Sequence, residues 1–315
     1  MTQELELKWI SNFWRRIGAL LIDTLLLGIF GYVIGLVLES TFVQLGGWGR
    51  LVGFTIALIY FGIMNSSITG GQTLGKKALK IRVVDNSNST ISIGKSTLRY
   101  VVLATPFSLN GAHFSNEAML SYLIYPLSFI IFGGLFSIIY LYIFNRNTRQ
   151  SLHDLAVGSF VVNADVEKQE IEKVWNVHIV IVALLFVVAA IVPAFTSQLA
   201  QSEPFKEMLS VQSALLSEPN VTYATITTNT TTFSSIKEDT KTTTYVSSQV
   251  FLGSNNVTDA EFARQLASII IAKYPEATNK DTIQIILTYG YDIGISSKWY
   301  SHTHNFDPSE LKSGE

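Results

Sequence analysis

Apolar positions along this chain gather into four long runs instead of alternating with polar ones. Ile17–Leu38 spans 22 residues with a single charge, Asp23; Leu51–Ile68 has none in 18, Leu120–Phe144 none in 25 and Val177–Phe195 none in 19. Each reaches the roughly 20 residues that carry a helix across a hydrocarbon core, so each predicts a membrane helix. Lys8, Arg15 and Arg16 precede the first run as they would a secretion signal, but the run is too long for a cleavable apolar region. It reads as a retained helix. A weaker segment, Tyr100–Phe114, is apolar at first and then carries Pro106, Asn110 and His113.

Basic residues orient these runs. Three Lys/Arg precede the first run, six lie in Thr69–Arg99 and four in Asn145–Lys173, against Arg50 alone in 39–50 and none in 111–119. Basic loops stay on the cytoplasmic side, which requires Tyr100–Phe114 to cross or half-cross and pair with Leu120–Phe144 as a hairpin. An interfacial helix there would place Arg146 and Arg149 outside; the charge rule favours the hairpin. The count predicts about five crossing or half-crossing helices, a cytoplasmic N-terminus and an extracytoplasmic region after about Ser197.

That region has a different pattern. Ser202–Leu216 reads as a short amphipathic helix, and Val221–Ser235 and Thr242–Leu252 alternate with β-branched residues as strands do. Thr258 with Glu261 predicts a capping box that opens a helix from Asp259 to about Lys273. Thr282–Ile295 reads as another strand, extending towards Trp299 and Tyr300. The α-β-β-α-β order predicts a small α+β domain with an antiparallel sheet. On the cytoplasmic side, Ile81–Val84 and Ile91–Ile93, joined through Asp85–Asn88, read as a β-hairpin. The domains are therefore a polytopic all-α membrane domain (1–165), a linker with the last membrane helix (166–200) and an extracytoplasmic α+β domain (201–315).

Composition agrees: 48% of the 315 residues are hydrophobic and 15% charged, where soluble domains carry about 25%. The absence of cysteine excludes disulfide frameworks, cysteine-ligated metals and thiol catalysis. A net charge of −2 gives no bias towards nucleic acid. Residues 198–315 hold 8 Lys/Arg against 13 Asp/Glu, consistent with a separate domain. The implied partners are the lipid bilayer and a protein on the membrane or outside it.

Asp23 carries the most information. An ionisable group near the middle of a membrane helix costs about 2.5–3.5 kcal/mol on insertion scales and marks a functional site, or it acts as interhelical glue through hydrogen bonds. Arg16, two turns earlier on nearly the same face, sits about 10 Å away along the axis. Gly70–Lys77 approaches a phosphate-binding loop, but Lys77 stands where the magnesium-binding hydroxyl belongs, and the loop lacks the strand before and helix after it. It reads as a glycine turn whose lysines meet lipid headgroups. Ser151 with Asp154 suggests a helix cap, and His153 beside it is a candidate for titration near neutrality. His302 and His304, two apart on a strand face, would with Asp307 make three metal ligands; the alternative is an exposed polar end segment. No Ser-His-Asp arrangement or spaced carboxylate pair stands out, so no enzyme and no cofactor are expected.

The stretch Trp14-Arg15-Arg16-Ile17-Gly18-Ala19-Leu20-Leu21-Ile22-Asp23 resembles the opening helix of the RDD family, named for one arginine and two aspartates. Gly71-Gln72-Thr73-Leu74-Gly75-Lys76 is similar to its second signature, and Gln150-Ser151-Leu152-His153-Asp154 with Gly158-Ser159 to its third. The resemblance implies that Arg16, Asp23 and Asp154 are the namesake residues, with His153 and Gln72 as secondary candidates. Leu155-Ala156-Val157 departs from the basic residue that members often carry after the aspartate. The family resemblance further implies a polytopic domain suspected of transport, some members being proposed to exchange monovalent cations for protons, and others resembling assembly partners. Two expectations follow: a proton-coupled cation transporter using Asp23, and a non-transporting assembly or sensor protein whose C-terminal domain binds a partner.

Overall fold

The computed structural model describes residues 8–312 apart from 113, 115–120, 171, 201, 204 and 236–237. The predicted loop after Tyr100–Phe114 and the first residue of the Leu120–Phe144 run therefore fall outside the described residues. The chain packs as two units: Met1–Val37, Gly47–Phe195 and Ile293–Ser296 form the first; Leu38–Gly46, Thr196–Asp292 and Ser297–Glu315 form the second.

The first unit is helical. Helix α1 (Phe13–Leu45) kinks at Leu38, and a 3-10 turn at Gly46–Gly49 leads into α2 (Arg50–Met64). A five-residue helix, α3 (Leu74–Ala78), precedes strand β1 (Ile81–Asp85) and α4 (Ile93–Leu109). Helix α5 (Ile124–Phe144) contains a π-turn at Phe129–Gly133. The short α6 (Leu152–Val157), strand β2 (Ser159–Asn163) and α7 (Asn176–Ala200) follow. Three stretches among the described residues are long and apolar enough to cross a membrane: Phe13–Met64, which holds α1 and α2, Ile124–Phe144, and Asn176–Phe195. They expose many large aliphatic and aromatic residues, among them Leu25, Phe30, Val37, Phe136 and Val188, as a surface in lipid requires. This is a membrane protein.

Helices α2 and α4 run antiparallel. Ser96 Oγ donates to the Phe61 carbonyl at 3.0 Å near one end, and an Arg50 Nη donates to the Ser108 carbonyl at 3.3 Å near the other. The expected hairpin between Ile81–Val84 and Ile91–Ile93 does not form. Ser92 instead caps α4, accepting from Lys95 N–H, which commits Ile93 to a helix. The free edge of β1 is taken by β2, antiparallel, with Ile81 opposite Asn163 and Asp85 opposite Ser159. The N-terminal segment adds to this sheet: Asn163 N–H donates to the Trp9 carbonyl and Ser11 N–H to the Val161 carbonyl. Trp9 is wholly buried there against Phe160.

In the second unit, α8 (Phe205–Leu216), β3 (Val221–Ser235), β4 (Glu238–Leu252), α9 (Ala260–Lys273), β5 (Thr282–Asp292), β6 (Ser297–Phe306) and α10 (Pro308–Lys312) form a four-stranded sheet in sequence order with helices on one face. Val246, Val250, Ile283, Ile285 and Leu287 on the sheet pack against Val211 and Leu215 of α8 and Leu266 and Ile270 of α9. Two expectations change here. The sheet is mixed, because β4 and β5 pair in parallel, as a connection through an intervening helix demands. The long last strand is a hairpin, broken at Ile293–Ser296 into β5 and β6, which pair antiparallel. Asp259, not Thr258, caps α9: its carboxylate accepts from Phe262 N–H at 2.9 Å.

Candidate functional site

Two buried carboxylates organise the first unit. Asp23, fully buried on α1, is approached by donors from three directions. Its Oδ1 accepts from the Tyr60 hydroxyl of α2 at 2.7 Å and from Gly75 N–H at 2.8 Å; its Oδ2 accepts from the Thr73 hydroxyl at 2.5 Å. Thr73 is the N-cap of α3, its Oγ also accepting Lys76 N–H, and Tyr60 Oη accepts from Leu74 N–H. The glycine at 75 is required by closeness: a Cβ there would collide with the Ala19 carbonyl and stand 3.1 Å from Asp23 Cγ. The Gly-Gly-Gln-Thr-Leu-Gly-Lys block is thus a loop and a helix start folded onto a carboxylate, not a free glycine turn. Gln72 holds the loop by donating to the Ile81 carbonyl at 3.0 Å.

Asp154 on α6 is the second node, also fully buried. Arg16 Nη2 reaches its Oδ2 at 2.7 Å, while Arg99 of α4 reaches Oδ1 through Nε at 2.9 Å and Nη2 at 2.7 Å. Ser159 Oγ donates to Oδ1 at 3.1 Å, and Ser151 N–H to Oδ2 at 3.3 Å. Arg16 additionally donates to the Arg149 carbonyl and lies over the Tyr142 ring. Burial alone would raise the pKa of Asp154; the facing arginines, Arg99 foremost, overcome it and hold the carboxyl well below the usual range.

His153 is buried with Nε2 3.5 Å from Asp154 Oδ2. Its Nδ1 has no hydrogen-bond partner among the described residues. Burial, reinforced by the two arginines, pushes its pKa down to about 3, so the ring is neutral at pH 7. Lys76, half-buried with Nζ 5.9 Å from the centre of the Phe61 ring, titrates near neutrality. Burial first, then Arg99, lowers it to about 7. Of the two lysines expected at headgroups, Lys77 is exposed and Lys76 faces this cluster.

The namesake residues divide between the two nodes. Arg16 is paired with Asp154, 138 positions away, and Asp23 is served by Tyr60, Thr73 and Gly75. Arg99, Tyr60, Thr73 and Ser159 were missed by sequence reasoning. Arg99 counted only as one of six loop charges, although it stands three residues after Ser96 on the buried face of α4. The metal trio does not assemble. His304 is buried with Nε2 2.9 Å from the Val257 carbonyl, and Asp307 turns back onto Ser309. No group of three metal-binding side chains occurs among the described residues. The segment is a strand edge, not a loose end.

The chain matches the RDD family over residues 10–158. Residues 10–158 are an RDD domain. The RDD match encloses both carboxylates and every donor named above except Ser159, which lies one residue past its end. Residues 159–315 lie outside the RDD domain. No curated protein and no solved structure matches the chain.

Proposed function

We propose that the protein is a non-enzymatic, non-transporting membrane anchor and sensor or assembly factor. In this reading the RDD domain is a scaffold locked by two carboxylate nodes, and the C-terminal α/β domain binds a partner outside. The observation that carries it is the saturation of both carboxylates by donors. A cation site needs oxygens free to turn towards the ion; here Asp23 accepts from three groups and Asp154 is clamped by two guanidinium groups. The topology in this reading has five crossings, with α4 as the third, a cytoplasmic N-terminus and residues 201–315 outside. The basic loops and the antiparallel packing of α2 and α4 support it.

The transport reading is the alternative, with a proton and a monovalent cation as cargo. One observation favours it: Lys76, one residue beyond the Gly75 amide that binds Asp23, titrates near neutrality. The substitution Asp23→Asn separates the two. An amide cannot accept from three donors at once, so the scaffold reading expects lower abundance and a lower unfolding midpoint, with Tyr60→Phe milder in the same direction. Wild-type stability together with lost ion movement would overturn it.

A further inference from the structure

The turn joining β5 to β6 has unusual chemistry for a hairpin tip. Exposed turns favour Gly, Asn, Asp and Ser, but Ile293-Gly294-Ile295-Ser296 carries two isoleucines. Gly294 supplies the positive φ of 82°, and Ile293 N–H closes the turn on the Ser296 carbonyl at 3.0 Å. Ile293 is fully buried, and all four residues pack within the first unit.

Their seat is made of glycine. A Cβ on Gly53 of α2 would collide with the Ile293 carbonyl; one on Gly31 of α1 would stand 2.8 Å from Ser296 Cβ and 2.9 Å from Ile295 Cγ1. Gly28, nearly one turn before Gly31, faces the Ile295 carbonyl. Non-helical backbone beside membrane helices is tolerated only where protein covers it, and these glycines let the helices do so. Ile295 then packs on the Leu27, Ala57 and Phe61 cluster, which Tyr60 also joins. Leu27 lies one turn from Asp23, and Tyr60 is the residue that donates to it.

We propose that the Ile293–Ser296 turn is a wedge seated between α1 and α2, whose Ile295 sets the packing under Tyr60 and so bears on the Tyr60–Asp23 contact.

The absence of native cysteine makes the seat directly testable in the full-length protein in its membrane. Gly31→Cys with Ser296→Cys would set two Cβ atoms 2.8 Å apart, closer than the 3.5–4.5 Å of a disulfide, so this pair bridges after a small outward shift of the turn. Ala57→Cys with Ile295→Cys is a second pair that crowds neither glycine. Mild oxidation should bridge most of the protein in both pairs, seen as a mobility shift without reductant. Val33→Cys with Ser296→Cys, with Val33 on an exposed face of α1, should give little. Bridging in both test pairs no greater than in that control overturns the wedge. For the coupling, the unfolding-midpoint shifts of Ile295→Ala and Tyr60→Phe should add to clearly less than their sum when combined; strict additivity overturns it. Bridging together with ion flux in vesicles would sink the scaffold reading and leave the wedge standing.

Discussion

Arg99 was invisible as a site residue in the sequence, and removing it is the sharpest perturbation of the Asp154 node. Arg99→Ala deletes two nitrogens that lie 2.9 and 2.7 Å from Asp154 Oδ1, in a pair whose side chains are 7% and 0% exposed. Arg16, on the other oxygen, is then the remaining guanidinium of the pair. Breaking a buried pair by removing one partner costs about 3–5 kcal/mol, because the remaining charge stays desolvated. At about 2–4 °C per kcal/mol for a domain of this size, the midpoint should fall by roughly 6–20 °C. Arg99→Lys keeps the charge but offers one nitrogen in place of the guanidinium fork, and should fall between. The assay is thermal unfolding of detergent-solubilised protein at pH 7, followed by tryptophan fluorescence. The cycle with Asp154→Asn should show a coupling of at least ~0.5 kcal/mol. A midpoint for Arg99→Ala within about 1 °C of wild type, or strict additivity with Asp154→Asn, would refute the account of this node.

Three further outcomes are expected. Stability should decline as pH falls below about 6.5: His153 has a folded pKa of about 3 and Asp154 a strongly depressed one, so the unfolded chain takes up protons first in both cases. The histidine contribution is lost from about 6.5 downwards and the aspartate contribution below about 4; His153→Gln should flatten the upper part of the slope in acid-unfolding curves, and an unchanged slope would contradict the burial argument. Lys76, with its pKa near 7, should be acylated by an amine-directed reagent at pH 7–7.5 ahead of Lys77, as peptide mapping would show; preferential labelling of Lys77 would contradict the lowered value. Gly75→Ala should push α3 off Asp23 and cost about 1–3 kcal/mol as an overpacked site, and a midpoint equal to wild type would mean that the contact is looser than described.

How much of this was legible in the sequence follows the range of each interaction. The runs that form α1, α2 and α7 were readable because lipid imposes length and composition locally. Strand Val221–Ser235 was read with its observed bounds because alternation is local too. The failures were decided at a distance. Ile91–Ile93 lost its strand to a cap at Ser92, and β1 found its partner in β2, about 80 positions downstream, which no local pattern encodes. The parallel β4–β5 pairing was implicit in the helix between them but was not drawn. At the site, Arg16, Asp23 and Asp154 came through the RDD resemblance, and the spacing put Arg16 and Asp23 on nearly one face of a helix. The fold pairs Arg16 with Asp154, and leaves Asp23 to a tyrosine and a helix cap. Tyr60 and Thr73 looked like ordinary helix and loop residues; only the approach of α3 to α1 at Gly75 turns them into donors.

The central claim is that the two carboxylates hold the RDD domain together and do not move ions. Reconstituting the wild-type protein into sealed vesicles with a pH-sensitive dye inside, and imposing sodium or potassium gradients across them, tests it most directly. The account predicts proton movement at the level of protein-free vesicles for wild type, with Asp23→Asn lowering the unfolding midpoint. Cation-dependent proton movement well above that background, abolished by Asp23→Asn in a protein that unfolds at the wild-type temperature, would contradict it.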